Sequence, residues 1–111
     1  MNKYGAKKTM VDGIMFDSQK EAMRYLELTK LQKDGVISGL VTQQVFVLAK
    51  GVKFSGEKRA KPALRYISDF VYSNPRTGAV VVEDCKGMKT PAFNIKRHLM
   101  LALLGIDVVL T

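Results

Sequence analysis

The most regular pattern of apolar and polar positions lies in two runs that flank a turn in the second half of the chain. Residues 66–72 (YISDFVY) and 80–86 (VVVEDCK) are rich in β-branched and aromatic side chains, and residues 73–78 (SNPRTG) separate them. Two such runs around a cluster of turn residues are typical of a β-hairpin. The sequence therefore predicts a central hairpin with strands at 66–72 and 80–86.

Charged residues interrupt this hairpin at Asp69, Asp84 and Lys86. Aspartate is depleted in strands, and a charge on a half-buried sheet needs a partner or a metal ion. Because side chains alternate along a strand, Asp84 and Lys86 share one face. Folding the hairpin about its turn places Asp69 opposite Asp84, to within one residue. Two carboxylates and a lysine are therefore expected in one place.

Two segments have the periodicity and end signals of helices. The first begins after Ser18 and runs to about Lys33. The second begins at Pro91, a residue favoured in the first turn of a helix, and ends at Gly105. On or near the buried side of the second helix we expect Phe93, Ile95, Leu99 and Leu103.

Shorter segments complete the predicted order of elements. Residues 9–16 should form a small hairpin, because they contain an Asp-Gly pair between apolar runs. Residues 41–48 are predicted to be one strand, and the basic, glycine-punctuated segment 50–61 a turn or projecting hairpin. A last strand is expected at 106–110. The pattern predicts an α/β fold with a mixed sheet, in one domain covering residues 1–111.

Composition narrows the class of protein. The chain has 111 residues, a formal net charge of +8 and a single cysteine. A basic excess of this size is typical of proteins that bind polyanions. One cysteine excludes an internal disulfide, and no apolar run approaches the length of a membrane span. With no signal peptide visible, we expect a cytoplasmic protein without a membrane role.

The residues of the central hairpin are suited to hydrolysis of a phosphodiester. Carboxylates hold hard divalent cations through oxygen. Such a cation lowers the pKa of a bound water and offsets phosphate charge. A lysine beside it can position that water or stabilise charge in the transition state.

The same residues carry a resemblance to a known family. Asp69, fifteen positions ahead of Asp84-Cys85-Lys86, resembles the PD-(D/E)xK motif of restriction-endonuclease-like nucleases, with Ser68 where the family name has proline. The predicted order of elements is similar to the α-β-β-β-α-β core of that family, with segment 50–61 as an elaboration. Small phage-encoded members related to recombination endonucleases and junction resolvases are the nearest in pattern.

The resemblance implies an Mg²⁺-dependent DNA endonuclease of phage or prophage origin, acting in a bacterial host cell, with Mn²⁺ able to substitute. It implies that Glu21, Asp69, Asp84 and the backbone carbonyl of Cys85 bind the metal, and that Lys86 orients the attacking water. An alternative for Glu21 is a capping box with Ser18. Glu83 would replace Asp84 if a bulge shifted the strand.

Candidate DNA contacts lie in three regions. The N-terminal arm (residues 1–8) and segment 50–61 are basic, and one cation on the second helix could grip substrate phosphate, as the resemblance implies. The candidates are Lys3, Lys7, Lys8, Gln43, Lys58, Arg59, Lys61 and Lys96. Each of these could instead be an ordinary solvated side chain, and we expect His98 to be a surface or partly packed residue.

Two other functions remain open. The chain could be a DNA-binding module that has lost catalysis, or a phage accessory protein whose basic face meets an acidic partner. Cutting two strands needs two sites, so a homodimer is expected. The hairpin at 9–16 is the leading interface, through Met10, Val11, Ile14 and Met15, unless it packs on the chain's own first helix.

Overall fold

The computed structural model describes residues 7–85 and 87–111. Within this part of the chain there are two helices and eight strands, which gives a mixed α and β architecture as predicted. The elements are β1 (Thr9–Val11), β2 (Ile14–Phe16), α1 (Gln19–Lys33), β3 (Ser38–Thr42), β4 (Val45–Ala49), β5 (Leu64–Ile67), β6 (Phe70–Ser73), β7 (Val80–Asp84), α2 (Pro91–Leu104) and β8 (Val109–Leu110).

Four strands form the main sheet, in the order β3-β6-β7-β8. The pairs β3/β6 and β6/β7 are antiparallel, and β7/β8 is parallel. A helix packs on each face of this sheet. Phe70 belongs to a core cluster with Leu28 of α1, whereas Val82 belongs to a second cluster with Met100 of α2. Because side chains alternate along β7, Glu83 and Asp84 point to opposite helices.

The predicted helix ends are confirmed by their capping contacts. The Ser18 hydroxyl accepts a hydrogen bond from the Glu21 N–H at 3.1 Å, which closes the first turn of α1. The Thr90 hydroxyl accepts one from the Phe93 N–H at 3.1 Å, at the start of α2. Gly105 ends α2 in the left-handed conformation at φ 68°.

The predicted single strands at 41–48 and 66–72 are both wrong. Each is divided in two, at Gln43 and Gln44 in the first case and at Ser68 and Asp69 in the second. Gln43 has a left-handed φ of 54°. The Gln43 N–H donates to the Asp69 carbonyl and the Ser68 N–H to the Gln44 carbonyl, both at 3.0 Å. The two breaks are therefore one coupled feature, which apolar alternation does not reveal.

Beyond this break, β4 and β5 continue as a separate two-stranded ribbon. The inner face of the ribbon packs on α2 through Leu48 and Tyr66, whereas its outer face leaves Val47 and Ile67 exposed. A bridge between Val52 and Lys61 extends the pairing, and residues 50–62 are all exposed. The predicted projecting hairpin at 50–61 is confirmed.

Two further predictions need correction. Ile95 and Leu103 are 61% and 56% exposed, whereas Phe93 and Met100 are the buried residues of α2. Each helical residue advances about 100°, so Met100 falls almost in line with Phe93 and the other two point elsewhere. The last strand is only Val109–Leu110, rather than 106–110.

The N-terminal hairpin forms as predicted, with Asp12 and Gly13 both at positive φ in its turn. Val11 and Ile14 pack into the core cluster beneath α1, together with buried Phe16. The interface prediction therefore needs correction, because Val11 and Ile14 are not on the exposed side of the hairpin. Met10 and Met15 pair directly across it and remain 60% and 46% exposed.

Candidate active site

Asp69 and Asp84 meet at the end of the main sheet, as the hairpin pattern predicted. The register pairs Phe70 with Glu83, so the next residues outward are Asp69 and Asp84. The two carboxyl groups hydrogen-bond to each other. The Cys85 N–H also donates to Asp69 Oδ2 at 2.7 Å. The break between β5 and β6 thus holds Asp69 directly against the end of β7.

Glu21 joins this pair from the first turn of α1. Glu21 is buried, and its side chain hydrogen-bonds both to Asp69 and to the backbone at Asp17. The charge of Asp84 also acts on it. Ser18 therefore caps the helix through its hydroxyl, while the Glu21 carboxyl reaches Asp69 and the backbone at Asp17.

The clustered acids shift each other's ionisation. Burial, the hydrogen bond with Asp84 and the charge of Asp84 raise the pKa of Asp69 to about 9, although the Cys85 N–H opposes the change. Burial, followed by the charge of Asp17, raises the pKa of Glu21. Carboxyls this close cannot all be ionised without a compensating cation or a bound proton.

Tyr66 orients Asp84 within the cluster. Asp84 is fully buried, and the Tyr66 hydroxyl donates a hydrogen bond to Asp84 Oδ2. Burial and this hydrogen bond raise the pKa of Tyr66. Tyr66 was not among the predicted site residues. No spacing signal in the sequence marks it, because β5 pairs with β4 and not with β7.

Glu83 takes part in a different interaction on the other face of the sheet. Arg24 of α1 donates to both of its carboxylate oxygens, at 2.6 and 2.8 Å, and the Tyr72 hydroxyl donates a further hydrogen bond. Burial opposes ionisation of Glu83, but the hydrogen bonds from Arg24 and Tyr72 outweigh it and lower its pKa. The β6/β7 register is continuous, so no bulge exchanges Glu83 and Asp84.

A cavity of about 520 Å³ opens between the first turn of α1 and the start of α2. Glu21, Asp69, Cys85, Thr90 and Phe93 are among the residues that line it. No set of three or more His, Cys, Asp or Glu side chains within residues 7–85 and 87–111 is arranged to hold a metal ion as it stands. The Glu21 and Asp84 side chains each hydrogen-bond to Asp69.

The donor set nevertheless fits a hard divalent cation. The three acidic side chains, Glu21, Asp69 and Asp84, offer only oxygen atoms, the ligands that Mg²⁺ and Mn²⁺ take in proteins. Two of them have raised pKa values, first because of burial and then because of the neighbouring acids. A bound cation would offset the charge of those acids.

The predicted DNA-contact residues fall into separate places. Lys58, Arg59 and Lys61 are exposed near the ribbon tip, where Lys61 pairs with Glu57 at 3.2 Å. Lys96 lines a groove beside the site with Arg65, a cation that the sequence analysis did not select. The other predicted DNA-contact residues that the structure describes are also exposed. They are Gln43 at the ribbon break, and Lys7 and Lys8 before β1.

Two predicted site residues, Lys3 and Lys86, lie outside the described residues. Cys85 is half-buried against the cluster beneath α1. His98 is exposed, as predicted. In the described part of the chain, neither helix is long and apolar enough to cross a membrane.

Comparisons with other proteins identify a family without identifying a function. No curated protein and no solved structure matches the chain. A family model does match it over residues 1–104, which include both helices, the carboxylate cluster and the ribbon. The chain therefore belongs to the family described as "Protein of unknown function (DUF1064)".

Proposed function

We propose that this protein is a metal-dependent DNA endonuclease of the PD-(D/E)xK type, acting in phage or prophage DNA recombination, repair or processing. The observation that carries the proposal is the convergence of Glu21, Asp69 and Asp84 from α1, the ribbon break and β7. Three acids from separate elements in one cluster are costly for stability, and such costs are common at functional sites.

The order of elements supports the same proposal. One helix, three strands of the main sheet, a second helix and a last strand follow each other along the chain. This is the α-β-β-β-α-β order that the resemblance implies, with the ribbon inserted. Asp69 and Asp84 also lie at facing ends of the second and third strands of the main sheet, an arrangement that agrees with the motif.

Glu21, Asp69, Asp84 and the Cys85 carbonyl would hold Mg²⁺ or Mn²⁺. When bound, the ion supplies an activated water and offsets the negative charge of the phosphate. Lys86 is proposed to orient that water, on the motif alone. The Cys85 N–H holds Asp69 in place and the Tyr66 hydroxyl holds Asp84, so both carboxylates are oriented before any ligand arrives.

Charge supports DNA as the substrate. The net charge is +8 although the carboxylate cluster is acidic, so basic residues dominate the remaining surface. Long-range attraction would bring a polyanion to the protein, and the cation at the site would make the last contact with the scissile phosphate. Lys96 and Arg65 line a groove that includes Thr90 and Phe93, residues that the site cavity shares.

A homodimer is a further part of the proposal. Two copies of a chain this small would supply the two sites needed for cutting both strands or both arms of a junction. Met10 and Met15 form an exposed apolar pair on the N-terminal hairpin, while the hairpin's other side packs beneath α1. That pair is the proposed contact.

The experiment that tests the function is a cleavage panel of labelled junction, flap, nicked and plain duplex DNAs with Mg²⁺ or Mn²⁺. Wild-type protein should cut at least one of them, and Asp69→Ala should cut none. A melting shift with Mn²⁺ that disappears in Asp69→Ala should accompany the activity. DNA binding with neither cleavage nor a metal-dependent shift would favour the inactive binding module instead.

A further inference from the structure

The ribbon β4–β5 reaches far from the carboxylate cluster. Strands advance about 3.3 Å per residue, so the eight steps from Gln44 at the break to Val52 span roughly 26 Å. The turn beyond Val52 adds to that reach. The whole chain has a radius of gyration of 16.1 Å and a longest dimension of 55 Å. A compact chain of this length would have a radius of gyration of about 13 Å.

Positive charge is concentrated at the far end of the ribbon. Segment 50–61 contains five basic residues and one acidic residue, Glu57, and all of its side chains are exposed. Glu57 forms an ion pair with Lys61, so most of the excess positive charge lies on the other basic residues of this tip. Between the tip and the break, Arg65 is the only charged residue of β4 and β5.

The tip is held in line with the rest of the ribbon. Val52 and Lys61 exchange backbone hydrogen bonds, with N···O distances of 3.1 and 2.6 Å. A Cβ atom at Gly51 would lie 2.7 Å from the Lys61 carbonyl oxygen, so glycine allows the two strands to approach closely there. These contacts fix the separation between the basic tip and the acidic cluster.

We propose that the tip contacts the phosphate backbone of the same duplex about 8 to 10 base pairs from the phosphate held at the carboxylate cluster. B-DNA rises about 3.4 Å per base pair, so a reach of roughly 26–33 Å corresponds to that distance. A duplex is stiff over about 150 base pairs and keeps two contacts at a set spacing, whereas a single strand does not. The substrate class is therefore a continuous duplex arm of at least that length.

This inference rests on the proposed function, which places the scissile phosphate at the cluster. Its test is binding of wild-type protein to blunt duplexes of 6 to 24 base pairs at several salt concentrations, with Ca²⁺ in place of Mg²⁺ as the cation at the oxygen ligands of the cluster. Each phosphate neutralised contributes about −0.9 to the slope of log affinity against log salt. For wild-type protein, the slope should steepen once duplexes exceed about 10 base pairs. It should stay constant for single strands of 6 to 24 nucleotides.

A charge variant and a matched control make the test specific. In the triple variant K58Q/R59Q/K61Q, the slope should no longer steepen with duplex length. Loss of contacts to three phosphates would change the slope by up to about 2.7. The control K30Q/K33Q/R76Q removes the same charge at the opposite end of the molecule, where the end of α1 and the β6–β7 turn line one groove. The control should keep the step.

A step that survives the tip variant, or that is absent from wild-type protein, overturns the inference. An equal step with single-stranded DNA also overturns it. These outcomes are separate from failure of the proposed function, since the measurement needs no cleavage. A protein that shows the step but cuts no DNA would support the tip contact and contradict the proposed nuclease activity. A protein that cuts DNA without the step would support the nuclease activity and contradict the tip contact.

Discussion

The carboxyl groups of Asp69 and Asp84 hydrogen-bond to each other across the end of the β6/β7 pair, fifteen positions apart in sequence. Both are held by groups outside that pair, because the Cys85 N–H donates to Asp69 and the Tyr66 hydroxyl to Asp84. Burial and the contact with Asp84 raise the pKa of Asp69. The predictions below follow from this relationship and from the packing around it.

Replacing Asp84 with asparagine should abolish DNA cleavage and leave DNA affinity unchanged or higher, because a proposed metal ligand and a negative charge near phosphate are both lost. Gel assays of cleavage and fluorescence anisotropy of binding measure the two effects. The exposed Asp107→Asn variant is the matched control and should cut normally. Cleavage by Asp84→Asn at near the wild-type rate would contradict the assignment of Asp84 to the catalytic site.

Without metal, the protein should lose stability as the pH rises. The pKa of Asp69 is raised from 3.8 to about 9, so the folded state holds this proton more tightly than the unfolded state does. Between these values, stability falls with increasing pH, by at most about 1.4 kcal/mol per pH unit for one group. Thermal melts in chelator from pH 5 to 9 measure the slope.

Asp69→Asn should flatten that dependence, and Mn²⁺ should stabilise the wild-type protein more at pH 8 than at pH 5. Asparagine cannot ionise, so the repulsion with Asp84 disappears, while a cation competes best when the proton is scarce. The same slope in Asp69→Asn as in wild-type protein would assign the pH dependence to another group.

Tyr66→Phe should lower cleavage by roughly 10- to 100-fold, the usual effect of removing a group that orients a metal ligand. DNA affinity in chelator should not change, since Tyr66 is buried and carries no charge. The affinity for Mn²⁺ should weaken in parallel, as measured by titration of the melting shift. Loss of activity with unchanged Mn²⁺ affinity would contradict a positioning role.

Arg24→Met should destabilise the protein by about 3–5 kcal/mol, because it leaves Glu83 buried without its cation. The double variant Arg24→Met, Glu83→Gln should recover part of the loss by removing the buried charge. Urea unfolding of both variants measures the difference. If the double variant were no more stable than the single one, the buried ion pair would not be the cause.

Light scattering should give a dimer mass for wild-type protein at micromolar concentration, and a monomer mass for Met10→Lys with Met15→Lys. Two lysines facing two more across a symmetric contact repel each other and expose no new core, since both methionines are already exposed. Met23→Lys, at an exposed position of α1, is the control and should leave the mass unchanged. A monomer mass for the wild-type protein, both free and with a junction bound, would rule the dimer out.

The sequence by itself determined the features that depend on a few neighbouring residues. Ser18, Thr90 and Gly105 mark the helix ends because capping is satisfied within one turn. The β6–β7 turn sets the register, so alternation predicted to within one residue that Asp69 lies opposite Asp84. Asp12 and Gly13 specified the N-terminal turn for the same local reason.

Tertiary structure decided whatever depends on which element lies beside which. Alternation runs on across residues 66–72, and only pairing with β4 on one side and with β3 on the other divides that run at Asp69. The partners of Asp84 and Glu83, Tyr66 and Arg24, come from elements that neither spacing nor periodicity connects to β7. Long-range pairing selects among local patterns that a sequence leaves equally possible, and here it assembled the carboxylate cluster.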